Sequence, residues 1–139
     1  MSFTKLKEDF GNVAINKIGF QTFTFGFLSL MNDGNINYPL MLLTPPRKRS
    51  NFENDSISFD IVIYISELDF YRNDGEQLTE EDKTEIWDSL DEMMLEFCEE
   101  LPNEYRIQGG ITTEPNSHSF NDSVILHKVV FTVILDKYC

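Results

Sequence analysis

The sequence predicts an α+β fold, an antiparallel four-stranded sheet with helices packed on one face. Three observations carry this expectation. Apolar residues recur at steps of three and four over residues 3–18 and again over 79–101, the period of a helix with one buried stripe. Ile57, Phe59, Ile61, Ile63 and Ile65 alternate with Ser58, Asp60, Val62, Tyr64 and Ser66, the period of a strand with two unlike faces. The predicted order is helix, strand, strand, helix, strand, strand. Adjacent strands joined by modest loops favour antiparallel pairing.

In chain order, Phe3, Leu6, Phe10, Val13, Ala14 and Ile18 form the first helical stripe. Gly11 interrupts it at a cost of about 1 kcal/mol relative to Ala. Gly19 is placed to end the helix, because Gly takes the left-handed conformation of a C-cap without strain. Residues 20–31 fit either a strand or a short helical turn, and residues 32–35 read as a turn. Residues 38–43 fit a short buried strand stopped by Pro45 and Pro46. Residues 47–55 read as a polar loop before the alternating strand.

Residues 69–78 form an acidic loop, and Thr79 is placed to cap the second helix. Its stripe is Ile86, Trp87, Leu90, Met93, Met94, Phe97, Cys98 and Leu101, and Pro102 stops it. Tyr105, Ile107 and Ile111 outline a strand in which Gly109-Gly110 mark a bulge. Residues 114–123 read as a polar connection. The last strand covers 124–136, with Ile125, Val129, Phe131, Val133 and Leu135 on one face. With no repeat or boundary in the pattern, residues 1–139 are expected to form a single domain.

Composition narrows the function classes. Hydrophobic residues make up 41% of the chain, enough for a packed core. The net charge of −13 gives no general attraction to nucleic acid or to an anionic membrane, so neither sequence-specific nucleic-acid binding nor membrane binding is expected. No apolar run is long enough to span a bilayer, and the chain reads as soluble. Cys98 and Cys139 supply no disulfide framework or zinc signature, which fits a reducing site of synthesis.

Nothing nominates catalytic chemistry. No phosphate-binding loop, dinucleotide fingerprint, nucleophile elbow or zinc-protease motif occurs. Aligning Gly75 with the invariant glycine of a calcium loop puts Phe70 at the first ligand position, so that pattern fails. His118 lies in a polar connection. His127 lies on the apolar face of the last strand, where a core or interface imidazole with satisfied hydrogen bonds is expected. A non-catalytic protein without cofactor or metal is the expectation.

Charge and aromatic patterning point instead to contacts between molecules. Glu81, Glu85, Asp88, Glu92, Glu96 and Glu100 form a continuous acidic stripe on the second helix. Like charges at i,i+4 destabilise a helix by about 0.2–0.5 kcal/mol each, and Glu99 and Glu100 oppose the dipole at its end. A basic partner would offset both terms, and Arg47-Lys48-Arg49 on a neighbouring copy would supply one. An ordinary solvated face and an ordinary basic loop account for the same residues. Phe23 and Phe25, in the cluster over residues 20–27, either plug the core or line a surface covered by another copy. The candidate interface set is therefore Arg47, Lys48, Arg49, Glu92, Glu96, Glu99, Glu100, Phe23 and Phe25.

The succession Thr22-Phe-Thr-Phe-Gly-Phe-Leu-Ser-Leu-Met-Asn32, then Asn37-Tyr-Pro-Leu-Met-Leu-Leu-Thr-Pro-Pro46, resembles small virion proteins of tailed bacteriophages of Bacteroidota. These are tail terminators and tail-completion or connector ring proteins, a kind also carried by crAss-like phages. The resemblance covers roughly residues 3–137. It implies a tail-terminator-like fold, assembly into a six- or twelve-fold ring at the neck or tail, and portal, connector or tail proteins as neighbours. It implies a virion location after synthesis in the host cytoplasm; the acidic charge adds the separate expectation that a ring lined largely with acidic groups lets DNA pass without sticking. Two other readings stay open: a small acidic inhibitor that occupies a basic partner, and a hydrolase built around His118 or His127.

Overall fold

The strictest alternation in the sequence becomes the spine of the sheet. In the computed structural model, which describes residues 2–27, 37–68, 80–116 and 124–136, that segment is β4 (Ser56–Leu68). It pairs along its whole length, antiparallel, with β6 (Val124–Asp136). Beyond β6 lies β5 (Arg106–Asn116), also antiparallel. On the other edge of β4 lie β2 (Leu40–Leu43) and β3 (Arg47–Asn51), end to end. Outside β2 lies β1 (Thr22–Phe25), parallel to it. The protein is thus a mixed α+β fold with an open six-stranded sheet, ordered β1-β2-β4-β6-β5 with β3 beside β4.

Two of these strands correct the four-stranded antiparallel expectation. Of residues 20–31, which fitted either a strand or a helical turn, Thr22–Phe25 forms the strand β1, its pairing with β2 is parallel, and residues 28–31 lie outside the described residues. β3 forms where a polar loop was expected. Arg, Lys and Asn are poor strand formers, but β4 offers a template, and Asp60 gives Arg47 and Arg49 a shared partner across the ladder. Residues 44–46 face only Ile61 and Val62, three residues against two, which is a bulge. Pro45 and Pro46 have no N–H to give the ladder there, and Thr44 alone bridges it, its N–H and hydroxyl both donating to the Val62 carbonyl (3.1 and 2.8 Å).

β5 holds the expected irregularity, a register shift between Gln108 and Thr112 that accommodates Gly109-Gly110. It runs on to Asn116, into the stretch expected as a connection, where Glu114 pairs across the ladder with Lys128 (3.8 Å). The expected turn at 32–35, the acidic loop at 69–78, the Thr79 cap, His118 and Cys139 lie outside the described residues.

The first helix, α1 (Phe3–Asn12), is capped by the Ser2 hydroxyl accepting from the Lys5 N–H. It continues as a π-helical turn, Val13–Ile18, in place of further α-helix. Gly19 ends the turn at φ 99°, its N–H on the Ala14 carbonyl. α2 (Glu80–Glu100) packs across β6, β4 and the π turn. Both helices cover the same face of the sheet, and the main core lies between. Leu6 and Phe10 meet Leu90, Met94 and Phe97 over Phe59, Ile61, Ile63, Val129, Phe131 and Val133. Phe10 stands edge-on to Phe97 (centroids 5.3 Å) and to Tyr105 (5.8 Å). On the opposite face a second, small cluster gathers Leu40, Leu42, Tyr64 and Leu126.

Candidate functional site

Strand alternation splits the basic triplet. Arg47 and Arg49 share the face of Asp60, away from the helices. Lys48 projects to the helix side, its ammonium 5.8 Å from the Phe3 ring and 5.9 Å from that of Phe59. Arg47 donates from Nε to Asp60 Oδ2 (2.7 Å), and its Nη2 lies at the same distance from that oxygen. Arg49 Nη2 donates to Oδ1 (2.8 Å), as does the Thr132 hydroxyl (3.2 Å). Burial pushes the Asp60 carboxyl up, but the Arg47 hydrogen bond, the Arg49 charge and the Thr132 hydrogen bond outweigh it and hold the group below its ordinary value. The two guanidiniums and the Asp60 carboxylate together carry one positive charge, and Glu53 lines the adjoining concavity with Arg49.

Beside this clamp, the far face of the sheet carries an open concavity of about 760 Å3. Its walls include Arg49, Phe52, Glu53, Ser58, Gln108 and Ile134, one cation and one carboxylate among them. Phe52, in the β3–β4 turn, is 84% exposed.

The acidic residues occupy the other side of the molecule. Glu92, Glu96, Glu99 and Glu100 are all exposed on the surface of α2 turned away from the sheet. Glu100 lies 3.8 Å from Lys17 of the π turn, a neighbour in its own chain. Among the described residues, Glu92, Glu96 and Glu99 meet no cation. One large apolar residue, Leu95, sits among these carboxylates and is 47% exposed.

The candidate interface residues are therefore not brought together in one copy. Arg47 and Arg49 lie on one face and the α2 carboxylates on the other, with the sheet between. Phe23 and Phe25 belong with neither. Both are half-buried on β1 against the main core, and Lys7 lies over the Phe25 ring at 5.8 Å.

The remaining titratable groups stand apart from this arrangement. His127 is 4% exposed, and neither ring nitrogen has a hydrogen bond. This corrects the expectation of a satisfied imidazole. α2 docks through the Trp87 indole N–H on the Leu126 carbonyl (3.2 Å), but that spacing leaves Asp91 Oδ1 3.6 Å from His127 Nε2, beyond hydrogen-bond reach. Burial, and then the charge of Glu99, pushes the Cys98 thiol up to about 12, which keeps it protonated and a poor nucleophile at neutral pH. Tyr105 is likewise raised, by burial and then by its hydrogen bond to Asp9 (2.6 Å). Among the described residues, no three His, Cys, Asp or Glu gather to hold a metal ion, and no helix is long and apolar enough to cross a membrane.

Three features of the site escaped the sequence: the Asp60 clamp, the concavity and the exposure of Leu95. A signal existed for the first, since Asp60 is the one charged residue between Ser56 and Ser66. The others depend on which elements pack together. No family model matches the chain, and no curated protein is significantly similar to it.

Proposed function

We propose that the protein is a non-catalytic virion subunit that assembles head to tail into a closed ring at the neck or tail of a tailed bacteriophage. The observation that carries this reading is the segregation of charge. The exposed guanidiniums of Arg47 and Arg49 and an exposed acidic helix face lie on opposite sides of one sheet. A single copy cannot pair them, whereas a neighbour related by rotation can, and a heterologous contact of that kind closes into a ring when the rotation allows. The sequence resemblance to tail-terminator and connector ring proteins supports the same assignment. With it come a tail-terminator-like subunit fold, a six- or twelve-fold copy number, portal, connector or tail proteins as neighbours, and DNA threading the ring.

The net charge of −13 suits such a lumen, because DNA gains little counterion release against acidic walls. The test is the mass of the purified protein by light scattering, with negative-stain imaging of the same peak. A closed ring is expected, alone or on mixing with the adjacent neck proteins. A chain that remains monomeric beside those proteins overturns the reading.

A second reading rests on the exposed carboxylates Glu85, Asp88, Glu92, Glu96 and Glu99, which meet no cation among the described residues. They would serve a small acidic module that occupies a basic protein. It predicts a monomer or dimer that binds such a target at low salt and releases it as salt rises.

A further inference from the structure

We infer that His127 and Asp91 form a proton-operated latch between β6 and α2, which closes as the medium turns acid. The fold leaves His127 in an unusual state. It is 4% exposed and neither ring nitrogen has a hydrogen bond, whereas buried polar atoms nearly always find a partner. Its Nε2 stands 3.6 Å from Oδ1 of Asp91, whose side chain is 42% exposed. One helical turn earlier, the Trp87 indole N–H donates to the carbonyl of Leu126, the residue before His127 (3.2 Å). α2 is thus fastened to β6 at Trp87 and left unfastened at Asp91.

The groups around the ring decide what a proton does there. On β4, Ile65 lies directly opposite, and Glu67 shares its face two residues on. On β5, Pro115 lies opposite. On α2, Lys83 falls on the side of Trp87 and Asp91, at steps of four. Glu67 and Lys83 each have a contact of their own. Lys128 and Glu114 point to the other face of the sheet and pair with each other (3.8 Å). Among the described residues, Asp91 is therefore the acceptor left for the ring. Imidazole is the side chain whose charge ordinarily changes between about pH 5 and 8. A buried imidazolium is costly unless it is paired. A small side-chain movement turns the present gap into a charge-assisted hydrogen bond of about 2.7–2.9 Å. The proton comes from the water that reaches Asp91, settles on the ring and draws the carboxylate in. Closure ties α2 to β6 at a second point and favours the protonated ring. Its stabilisation is therefore present at acid pH and is lost as pH rises through the imidazole range.

Thermal melts at about pH 8 and about pH 5, the limits of that range, test the latch in the parent, Asp91→Asn, His127→Leu and the double variant. Asp91→Asn is expected to lower the melting temperature by at least about 2 °C more at the acid pH than at the alkaline one. In the His127→Leu background the same substitution is expected to show no such difference. Emission from Trp87, the chain's one tryptophan, is expected to change over this range in the parent and to stay flat in His127→Leu. An Asp91→Asn effect that is equal at both pH values, or that persists unchanged without His127, overturns the latch. Should His127→Leu fail to fold, the comparison of Asp91→Asn with the parent at the two pH values still decides. The latch works within one copy, so a protein that stays monomeric overturns the ring reading and leaves the latch standing.

Discussion

The two faces of the sheet are built from the same strands and end in opposite states. On the helix-covered face, Phe59, Ile61, Ile63 and Ile65 of β4 and Val129, Phe131 and Val133 of β6 merge into one core with α1 and α2. The other face changes character part-way along β4. Ser58 and Asp60 lie beside basic β3, whereas Val62 and Tyr64 lie near apolar β2 and close a small cluster with Leu40, Leu42 and Leu126. The bulge at residues 44–46 separates the two halves. Period-two alternation decides which residues share a face. What that face becomes is decided by the strand that happens to lie alongside.

The comparison breaks most visibly when each face is damaged in turn. Phe97→Ala removes a ring that is fully buried against Phe10 and is expected to cost about 3–5 kcal/mol. Ser58→Ala, on the polar half of the opposite face, is expected to change stability by no more than about 0.5 kcal/mol. Urea unfolding of the two variants measures the difference. Similar losses would mean that the far face is as tightly packed as the core.

Asp60 is the exception on the polar half. Asp60→Asn leaves two exposed guanidiniums side by side without their counter-charge, and up to about 1 kcal/mol is expected to be lost at neutral pH. The pH dependence has a definite sign. The folded carboxyl titrates below its ordinary value, so its contribution is complete above the unfolded value near 3.9 and is lost as pH falls through the lower folded value. Asp60→Asn is therefore expected to flatten the acid limb of the stability curve. A limb as steep as the parent's would show that other carboxylates drive acid unfolding.

His127 is the exception on the apolar face. A buried imidazole without hydrogen bonds carries a desolvation cost that a hydrocarbon does not. His127→Leu is accordingly expected to raise stability by about 1 kcal/mol, visible as an upward shift in melting temperature. A destabilised variant would mean that the Asp91 carboxylate, 3.6 Å away, closes on the ring in solution.

Much of this architecture was legible in the sequence because it is local. The alternation of β4, the stripes of α1 and α2, the Gly19 cap and the Gly109-Gly110 bulge depend on residues close together in the chain. β1 was ambiguous because its pairing with β2 is made only when β2 is already in the sheet. β3 was hidden because its composition argues for a loop, and only the Asp60 ladder overrides that. The charges of the candidate site were legible singly. Their separation onto two faces was not, since it depends on the register of Arg47 with Asp60 and on which side of α2 meets the sheet.

Gly11 gives the smallest expected effect and sharpens the comparison at the edge of the core. On the helix alone it is a defect, and Gly11→Ala should gain about 0.5–1 kcal/mol. In the fold, an added methyl would lie 3.0 Å from Cδ1 and 3.2 Å from Cε1 of the Phe23 ring. Phe23 is tied to β2 through the β1 ladder, so the ring has little room to withdraw. The crowding is expected to cancel the helical gain and leave Gly11→Ala destabilised by up to about 1 kcal/mol. In a Phe23→Ala background the crowding is gone, and the same substitution should turn stabilising. That reversal of sign, read from a double-mutant cycle, identifies Gly11 as the seat of the Phe23 ring. Should Gly11→Ala stabilise the parent, the ring yields easily, and β1 is held by its backbone ladder more than by its contact with α1.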